Sequence, residues 1–334
     1  MGIMQMLMGG GAVSAIEASG GTAFTVGDYK YHLINSSTPS PTKEITISAV
    51  TTDPTANVID FLVVGGGGGA GGGDNSYGGG GGAGGLIWRP AKPISSTGGP
   101  YSITIGSGGS GLPINDTNPG QQSTTDGQDT VIGSGPDPIY FIAKGGGGGA
   151  SGAGYRFGTA GRDGGSGGGG GGGASGNGNV GSATQPSQPG DSGTYGHSGD
   201  GGTSGGGGGG GSGAGTSGPT GNGADGYQVP SSFLPPSVPG PLASAISPIS
   251  APSPEFRYFG AGGAGKNGGA GGAGGGGDGG NSDPIPSLPN LPSAAYGVDG
   301  RGSGGASWTS NNPHSWAGDG GDGIVLIKYK FQNY

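Results

Sequence analysis

The segment Gly65–Gly85 constrains the fold of this chain more than any other stretch. It reads GGGGGAGGGDNSYGGGGGAGG and directly follows the apolar run Val58–Val64. Because glycine has no side chain, such a segment cannot build an apolar core, and we expect it to pack backbone against backbone. Glycine runs recur at Gly145–Ala150 and Gly205–Gly211, so the same packing is expected over much of the chain.

The glycine content also decides what can stabilise the fold. Glycine supplies 96 of the 334 residues, and ordering each one costs roughly 0.5–1 kcal/mol more than ordering alanine. Hydrophobic residues make up 29% of the chain, too few to offset this cost by burial alone. We therefore expect a dense network of backbone hydrogen bonds, each contributing roughly 1 kcal/mol net.

The glycine runs fit a polyproline-II type of helix better than an α-helix or an ordinary sheet. Glycine is a weak α-helix former and is depleted in strands. A polyproline-II helix has three residues per turn and no internal hydrogen bonds, so neighbouring helices can bond to one another. Long glycine runs break the Gly-X-Y period of collagen, which excludes that fold. The sequence predicts a mostly irregular and β fold with a polyglycine-II helix bundle, and structural glycines at Gly67, Gly80, Gly147, Gly170 and Gly208.

The segment Ala261–Gly277 shows a period of three that suits this geometry. Residues other than glycine recur in it at intervals of three, at Ala261, Ala264, Asn267, Ala270 and Ala273. In a three-fold helix these positions form one stripe, as expected on the outside of a bundle. The abundance of small residues is the alternative explanation.

Strands are predicted at runs of β-branched and aromatic residues. The segments are Tyr29–Ile34, Glu44–Val50, Val58–Val64 and Gly323–Phe331, with shorter ones at Tyr101–Ile105, Thr130–Ile132 and Ile139–Ala143. In the last long strand Val325, Ile327, Tyr329 and Phe331 share one face. We expect the two ends of the chain to form one small antiparallel β unit.

These patterns divide the chain into three parts. Residues 1–23 are predicted to be an N-terminal docking segment, residues 24–64 a β unit completed by 323–334, and residues 65–322 a glycine-rich body. Two proline-rich loop insertions interrupt the body at 228–254 and 283–296. Long loops without their own structure are often functional in compact domains.

Four aromatic residues in such loops are the candidate surface-contact residues: Phe233, Tyr296, Trp308 and Trp316. Aromatic side chains on loops that a rigid scaffold supports are a common means of binding sugars or proteins. The alternative is that these side chains fill volume at the ends of the glycine bundle. The two roles can apply to different residues.

No catalytic, cofactor-binding or metal-binding residue is assigned, and we expect a protein that is not an enzyme. The segment Gly260–Asn267 nearly matches a phosphate-binding loop, but Asn267 replaces the required hydroxyl residue and no helix follows. Asp278, Asp299, Asp319 and Asp322 lie among glycines without a calcium-binding spacing, so we interpret them as solvated turn residues. A net charge of −8 disfavours nucleic-acid binding. The N-terminal apolar run is too short to insert into a membrane.

The order of motifs resembles a glycine-rich domain of bacteriophage tail-fibre and other virion-associated proteins. The motifs are VIDFLVVGGGGGAGGG, GGGGGAGGLI, ITIGSGGSG, IAKGGGGGA, GGSGGGGGGG and GGDGIVLIKYKF, within Tyr29–Phe331. Similar polyglycine-II sandwiches occur in the receptor-binding adhesins of T-even-type long tail fibres, where loops at the bundle end contact the host surface. The resemblance implies contact loops at Gln228–Pro254, Asp283–Tyr296 and Trp308–Trp316.

The same resemblance implies the partners and location of this protein. Other virion proteins would bind the Met1–Gly11 region, and a host-surface glycan or outer-membrane protein would be the receptor. Synthesis would take place in the host cytoplasm and the mature protein would lie in the virion, with a homo-trimer suggested only by analogy with fibres. The alternatives are a capsid-surface decoration or cement protein and, from another class, an ice-binding protein.

Overall fold

The computed structural model of this chain describes residues 15–40, 43–74, 77–111, 124–153, 160–173, 176–218, 220–235, 240–246, 254–265, 269–281, 296–309 and 316–331. The predicted docking segment Met1–Gly11 lies outside these ranges. Of the predicted contact loop 283–296, only Tyr296 is described.

Most regular structure in these ranges is β-strand. The strands are β1 Glu17–Ser19, β2 Thr22–Val26, β3 Tyr29–Asn35, β4 Glu44–Ala49, β5 Val58–Val64, β6 Gly73–Asp74, β7 Leu86–Pro93, β8 Gly98–Thr104, β9 Thr130–Ile132, β10 Phe141–Ala143, β11 Gly152–Ala153, β12 Gly172–Gly173, β13 Gly176–Asn177, β14 Gly196–His197, β15 Tyr227–Gln228, β16 Tyr258–Phe259, β17 Gly280–Asn281, β18 Ser307–Thr309, β19 Trp316–Ala317 and β20 Ile324–Lys330. Two short α-helices, α1 Asp191–Thr194 and α2 Gly240–Ile246, and two 3-10 turns, Gln185–Ser187 and Pro254–Arg257, complete the elements.

The largest sheet joins N-terminal and C-terminal strands. Its order is β14-β7-β5-β20-β3-β2, with antiparallel neighbours throughout. Leu326 of β20 lies between Leu33 of β3 and Leu62 of β5. The strands predicted within β3, β4, β5 and β20 are confirmed. The sheet is larger than the predicted β unit because β7 and β14 join it from within residues 65–322.

A second sheet packs on one face of the first and forms a β-sandwich. Its order is β1-β4-β8-β9-β10, again antiparallel. The sandwich core between the sheets includes Ile34, Ile45, Ile59, Phe61, Val63, Ile103, Phe141, Val325 and Ile327. The rings of Phe61 and Phe141 lie 5.2 Å apart between centroids. Val325, Ile327 and Tyr329 share this core, as their alternation predicts.

The other face of the six-stranded sheet is covered by the proline-rich insertion. This outer core joins Leu33, Leu62, Leu86, Trp88 and Leu326 of the sheet to Val229, Phe233, Leu234, Leu242, Ile246 and Phe259. The prediction of an unstructured contact loop at 228–254 is therefore wrong for its described part, which contains α2 and buried side chains. Prolines separate these apolar residues, so the sequence shows no periodic pattern there.

The glycine runs form a body that continues from the sandwich strands. Segments 65–72, 105–111 and 144–151 follow β5, β8 and β10, and segments 78–85, 124–129 and 318–323 precede β7, β9 and β20. We call the hydrogen-bonded assembly of these and the remaining glycine segments the glycine body. Because its segments extend sandwich strands, the sandwich fixes where each one starts.

Backbone hydrogen bonds hold the glycine body together. Successive amides of the first glycine run donate to three different segments in turn: Gly65 and Gly68 to 78–85, Gly66 and Gly69 to 124–129, and Gly67 and Ala70 to 318–323, with N···O distances of 2.8–3.2 Å. Each segment therefore shares its hydrogen bonds among several neighbours. This network supplies the backbone bonding that the composition requires.

The predicted structural glycines lie where other backbone leaves no room for a side chain. An added Cβ would overlap with the carbonyl group of another segment at each of the five positions: Gly67 with Ser303, Gly80 with Gly263, Gly147 with Arg162, Gly170 with Gly178 and Gly208 with Gly81. Backbone atoms cannot rotate away as a side chain can, so even alanine is excluded without a shift of the neighbouring segment.

The predicted fold class of a polyglycine-II helix bundle is wrong. The described chain is mostly antiparallel β-sheet, with one six-stranded, one five-stranded and one three-stranded sheet, three two-stranded ribbons and two short helices. The glycine runs bond to several neighbours in turn but contribute little regular secondary structure, so the elements that flank them decide the fold class. In this chain the flanking elements are strands.

The alanine stripe at Ala261–Ala273 is also not an outer face of the body. Ala261 and Ala264 are fully buried, whereas Ala270 is exposed. Asn267 lies outside the described residues. The period of three therefore does not correspond to one solvent-facing row.

His32 connects three strands inside the sandwich. Its side chain is 2% exposed, and Nδ1 lies 2.7 Å from the carbonyl oxygen of Gly20. Because a carbonyl can only accept, Nδ1 carries the proton, and Nε2 accepts from the Tyr329 hydroxyl at 3.1 Å. The Tyr329 oxygen in turn accepts from the amide of Ala18 at 3.1 Å. Neutral His32 thus links the β1–β2 connection to β20.

We expect the free energy of unfolding to fall as the pH drops below about 6.5. Burial lowers the pKa of both His32 and His197 below the ordinary value of 6.5. As the pH falls, the two imidazoles are therefore protonated in the unfolded chain before they are protonated in the folded one. The contribution of the two histidines to stability is full above pH 6.5 and is lost progressively as the pH falls through 6.5 toward the lowered pKa values. Urea denaturation at about pH 7.5 and about pH 5.5 measures this loss. A His32→Gln, His197→Gln variant with an equally steep loss would contradict the assignment.

Candidate functional site

Phe233 is a core residue and not a contact residue. Its side chain is fully buried, with ring centroids 4.4 Å from Trp88 and 6.2 Å from Tyr31. The Tyr31 hydroxyl donates to the Phe233 carbonyl at 2.7 Å. The prediction that Phe233 lies on a recognition surface is therefore wrong. Its ring fills volume on the six-stranded sheet, not at an end of the glycine bundle.

Trp308 and Trp316 are brought together by a small sheet. Trp308 of β18 is directly opposite Trp316 of β19 in an antiparallel pair. Strand β17 pairs with the other side of β18 in parallel. The two tryptophans predicted to be contact residues therefore lie on adjacent strands of one three-stranded sheet in the glycine body. The sequence alone does not indicate this pairing.

Tyr296 lines a cleft in the glycine body. Its side chain is 37% exposed, among the most exposed large hydrophobic residues described. The cleft has a volume of about 350 Å³, and its wall includes Ser110, Asp299, Asp319 and Asp322. Gly108, Gly297 and Gly320 complete the lining. We call this the Tyr296 cleft.

Backbone amides hold the carboxylates of this cleft in place. Asp322 accepts from Gly108 N at 2.9 Å, and Asp319 accepts from Gly111 N at 2.7 Å. Asp299 accepts from the amide of Asp322 at 3.1 Å. Each bond uses the Oδ1 atom of its carboxylate. The cleft thus combines fixed hydrogen-bond acceptors with one aromatic ring, a combination that suits a ligand rich in hydroxyl groups.

The structure offers no metal centre in the part of the chain that it describes. No group of three or more His, Cys, Asp or Glu side chains is arranged there to hold a metal ion. Within the same ranges, no helix has the length and apolar character needed to cross a membrane.

The carboxylates of the cleft belong to a wider pattern that sequence reasoning missed. Three segments share the form Asp/Asn-Gly-x-Asp: 126–129, 222–225 and 319–322. In each segment, both polar side chains accept a hydrogen bond from a backbone amide of a neighbouring segment, at N···O distances of 2.7–3.0 Å. The pairs are Asp126 with Gly148, Asp129 with Gly145, Asn222 with Ala270, Asp225 with Ala273, Asp319 with Gly111 and Asp322 with Gly108. We call these six side chains, five carboxylates and the amide of Asn222, the carboxylate caps.

The carboxylate caps satisfy amides at the sides of the glycine body. An amide in the interior donates to the carbonyl of the next segment, whereas an amide at the side has no further segment to meet. Asp278 accepts in the same way from Gly271 at 2.8 Å. Asp278, Asp299 and Asp319 are exposed, as their interpretation as solvated turn residues predicts, and Asp322 is partly buried. That interpretation is incomplete, because each carboxylate also accepts a hydrogen bond from a backbone amide. The spacing of two polar residues around Gly-x is the signal that could have indicated caps.

Removing one carboxylate cap is expected to destabilise the protein modestly. In the wild type, Asp225 Oδ1 accepts a hydrogen bond from the amide of Ala273 at 2.8 Å, and Asp225→Ala removes this acceptor. We expect a loss of about 1 kcal/mol, similar to the loss of a helix N-cap. Asp225→Asn keeps the acceptor, as Asn222 does naturally, and should stay within about 0.5 kcal/mol of the wild type. Equal urea midpoints for the Ala and Asn variants would show that the cap contributes nothing.

The fold and the capped glycine segments together define a glycine-rich β protein. The comparison with protein families gives the narrower assignment. The chain belongs to the glycine-rich domain family, whose model matches residues 40–330. Comparison with curated proteins finds none that matches.

Proposed function

We propose that this protein is a structural component of a bacteriophage virion, in a tail fibre or its adhesin tip, and attaches the particle to the host cell surface. The observation that carries the proposal is the arrangement of the glycine segments. They leave the sandwich at one end, since segments follow β5, β8 and β10 there and others precede β7, β9 and β20. A rigid scaffold that supports loops is a common basis for recognition.

The order of glycine motifs supports the phage context. It resembles that of glycine-rich domains in tail-fibre and other virion-associated proteins, and the family match covers the same part of the chain. The proposed function is non-enzymatic. Other virion proteins would bind through Met1–Gly11, and the protein would be made in the host cytoplasm before it enters the virion.

The Tyr296 cleft is the proposed contact with the host. An exposed tyrosine ring can stack on a sugar ring, and the fixed carboxylates can accept hydrogen bonds from sugar hydroxyls. A host-surface glycan therefore fits the cleft better than an acidic ligand does, since three carboxylates would repel the latter.

Binding of the purified protein to lipopolysaccharide and to outer-membrane vesicles of host strains tests this contact. Tyr296→Ala should weaken binding at least about tenfold. Tyr29→Ala is the matched control, because Tyr29 is 39% exposed but lies on the sandwich. Equal binding by both variants would remove the cleft from the proposal.

The position of the protein on the particle is a separate test. Antibody labelling followed by electron microscopy should place the protein on a tail fibre. Labelling over the capsid surface would instead assign it as a decoration or cement protein, and the attachment role would be abandoned.

A further inference from the structure

The strand β2 ends the six-stranded sheet, and among the described residues its outer edge is unpaired. It pairs with β3 on one side, from Thr22 opposite Leu33 to Val26 opposite Tyr29. In the ranges that the structure describes, no strand pairs with its other side. The outer row of backbone amides and carbonyls of β2 is thus available to another strand.

The composition of β2 favours such pairing. Its sequence, TAFTV, contains no charged residue and no proline, the two features that usually protect an edge strand. Thr22, Ala23 and Thr25 are exposed. Phe24 and Val26 are only partly buried against the outer core. The opposite edge of the same sheet, β14, has only two residues and offers far less.

We propose that β2 forms the interface between two copies of this chain, as an antiparallel pair that makes one continuous sheet. Pairing about Phe24 would put Thr22 opposite Val26 of the partner subunit and Ala23 opposite Thr25 of the partner subunit. The two Phe24 rings would meet at the two-fold axis, where aromatic pairs across strands are favourable. The partly exposed apolar surface of Phe24 and Val26 would be covered, and the two outer cores would become continuous.

A second copy fits this edge because the strand is complementary to itself. All five residues are uncharged, so pairing with an identical strand opposes no like charges even though each chain carries a net charge of −8. An interface that uses the same patch on both subunits closes at two copies. A contact through one five-residue strand buries less surface area than the roughly 1,200 Å² typical of stable interfaces. The dimer is therefore weak and reversible.

Sedimentation velocity over about 1–200 µM tests the proposal, which does not depend on the attachment role. The wild type should shift from monomer to dimer. An Ala23→Lys, Thr25→Lys variant places lysines opposite lysines and should raise the dissociation constant at least about tenfold. Both substitutions are at exposed side chains, so the thermal midpoint should stay unchanged.

A charge-reversed partner makes the test specific for the register. An Ala23→Glu, Thr25→Glu variant should also be monomeric alone, but a mixture with the lysine variant should restore a dimer. A wild type that stays monomeric at 200 µM, an oligomer insensitive to these substitutions, a fibre-type trimer or a mixture that does not associate would each overturn the proposal.

Discussion

Replacement of Gly208 by alanine is expected to prevent stable folding. The added Cβ would overlap with the carbonyl group of Gly81, and the neighbouring backbone cannot rotate away. The segments would have to separate, which weakens the hydrogen bonds from Gly208 N to Gly263 O at 2.8 Å and from Ala224 N to Gly208 O at 3.1 Å. We expect a loss of at least about 3 kcal/mol from a total stability of roughly 5–15 kcal/mol. Valine at this position should give no folded protein.

Urea denaturation followed by circular dichroism measures this effect. Gly147→Ala should behave like Gly208→Ala, because its Cβ would overlap with the carbonyl group of Arg162. Gly135→Ala is the matched control, since an added Cβ there meets nothing within 4 Å. The control should stay within about 0.5 kcal/mol of the wild type. A Gly208→Ala protein as stable as the control would refute the close packing of the glycine body.

Phe233→Ala should have the second-largest effect, a loss of about 3–5 kcal/mol. The side chain is fully buried between Trp88 and Tyr31, so its removal leaves a cavity in the outer core. The backbone at this point also accepts two hydrogen bonds. The Phe233 carbonyl accepts from the Tyr31 hydroxyl, and the Ser232 carbonyl accepts from the ammonium group of Lys328. Loss of the ring should therefore loosen the insertion from the sheet.

The comparison with Tyr296→Ala separates the two roles first considered for the aromatic residues. Tyr296 is 37% exposed, so its truncation should change the unfolding free energy by no more than about 0.5 kcal/mol. Phe233→Ala should shift the urea midpoint strongly and leave glycan binding per folded molecule unchanged. Equal stability of the two variants would show that the insertion does not cover the sheet.

The strands of the sandwich were the most predictable part of the fold. Runs of β-branched and aromatic residues mark β3, β4 and β5 directly in the sequence. The alternation in β20 also shows there, because strand side chains alternate between two faces. The two faces of β20 correspond to two different cores, which the alternation alone does not reveal. The strands β7 and β14 were not expected in this sheet, because they lie between glycine runs that suggested a different fold class.

The insertion and the Tyr296 cleft could not be predicted from local patterns. The buried residues of the insertion, such as Leu234 and Leu242, are separated by prolines and show no period. The cleft depends on segments far apart in sequence, since Ser110 and Asp319 meet only when the glycine body is assembled. The carboxylate caps did leave a local signal, but an aspartate among glycines is more often read as a turn residue.

The central position of β20 has a consequence for how the chain folds. This strand is made last among the described strands, yet it separates β3 from β5, and Gly67 near the start of the glycine body donates to Gly321 beside it. Neither the sheet nor the first glycine run can reach its final bonding until the C-terminal strand has left the ribosome. Contacts so distant in sequence slow folding. We therefore expect slow folding that is completed only after β20 has emerged, and a chain cut before β20 should depend on chaperones and be degraded.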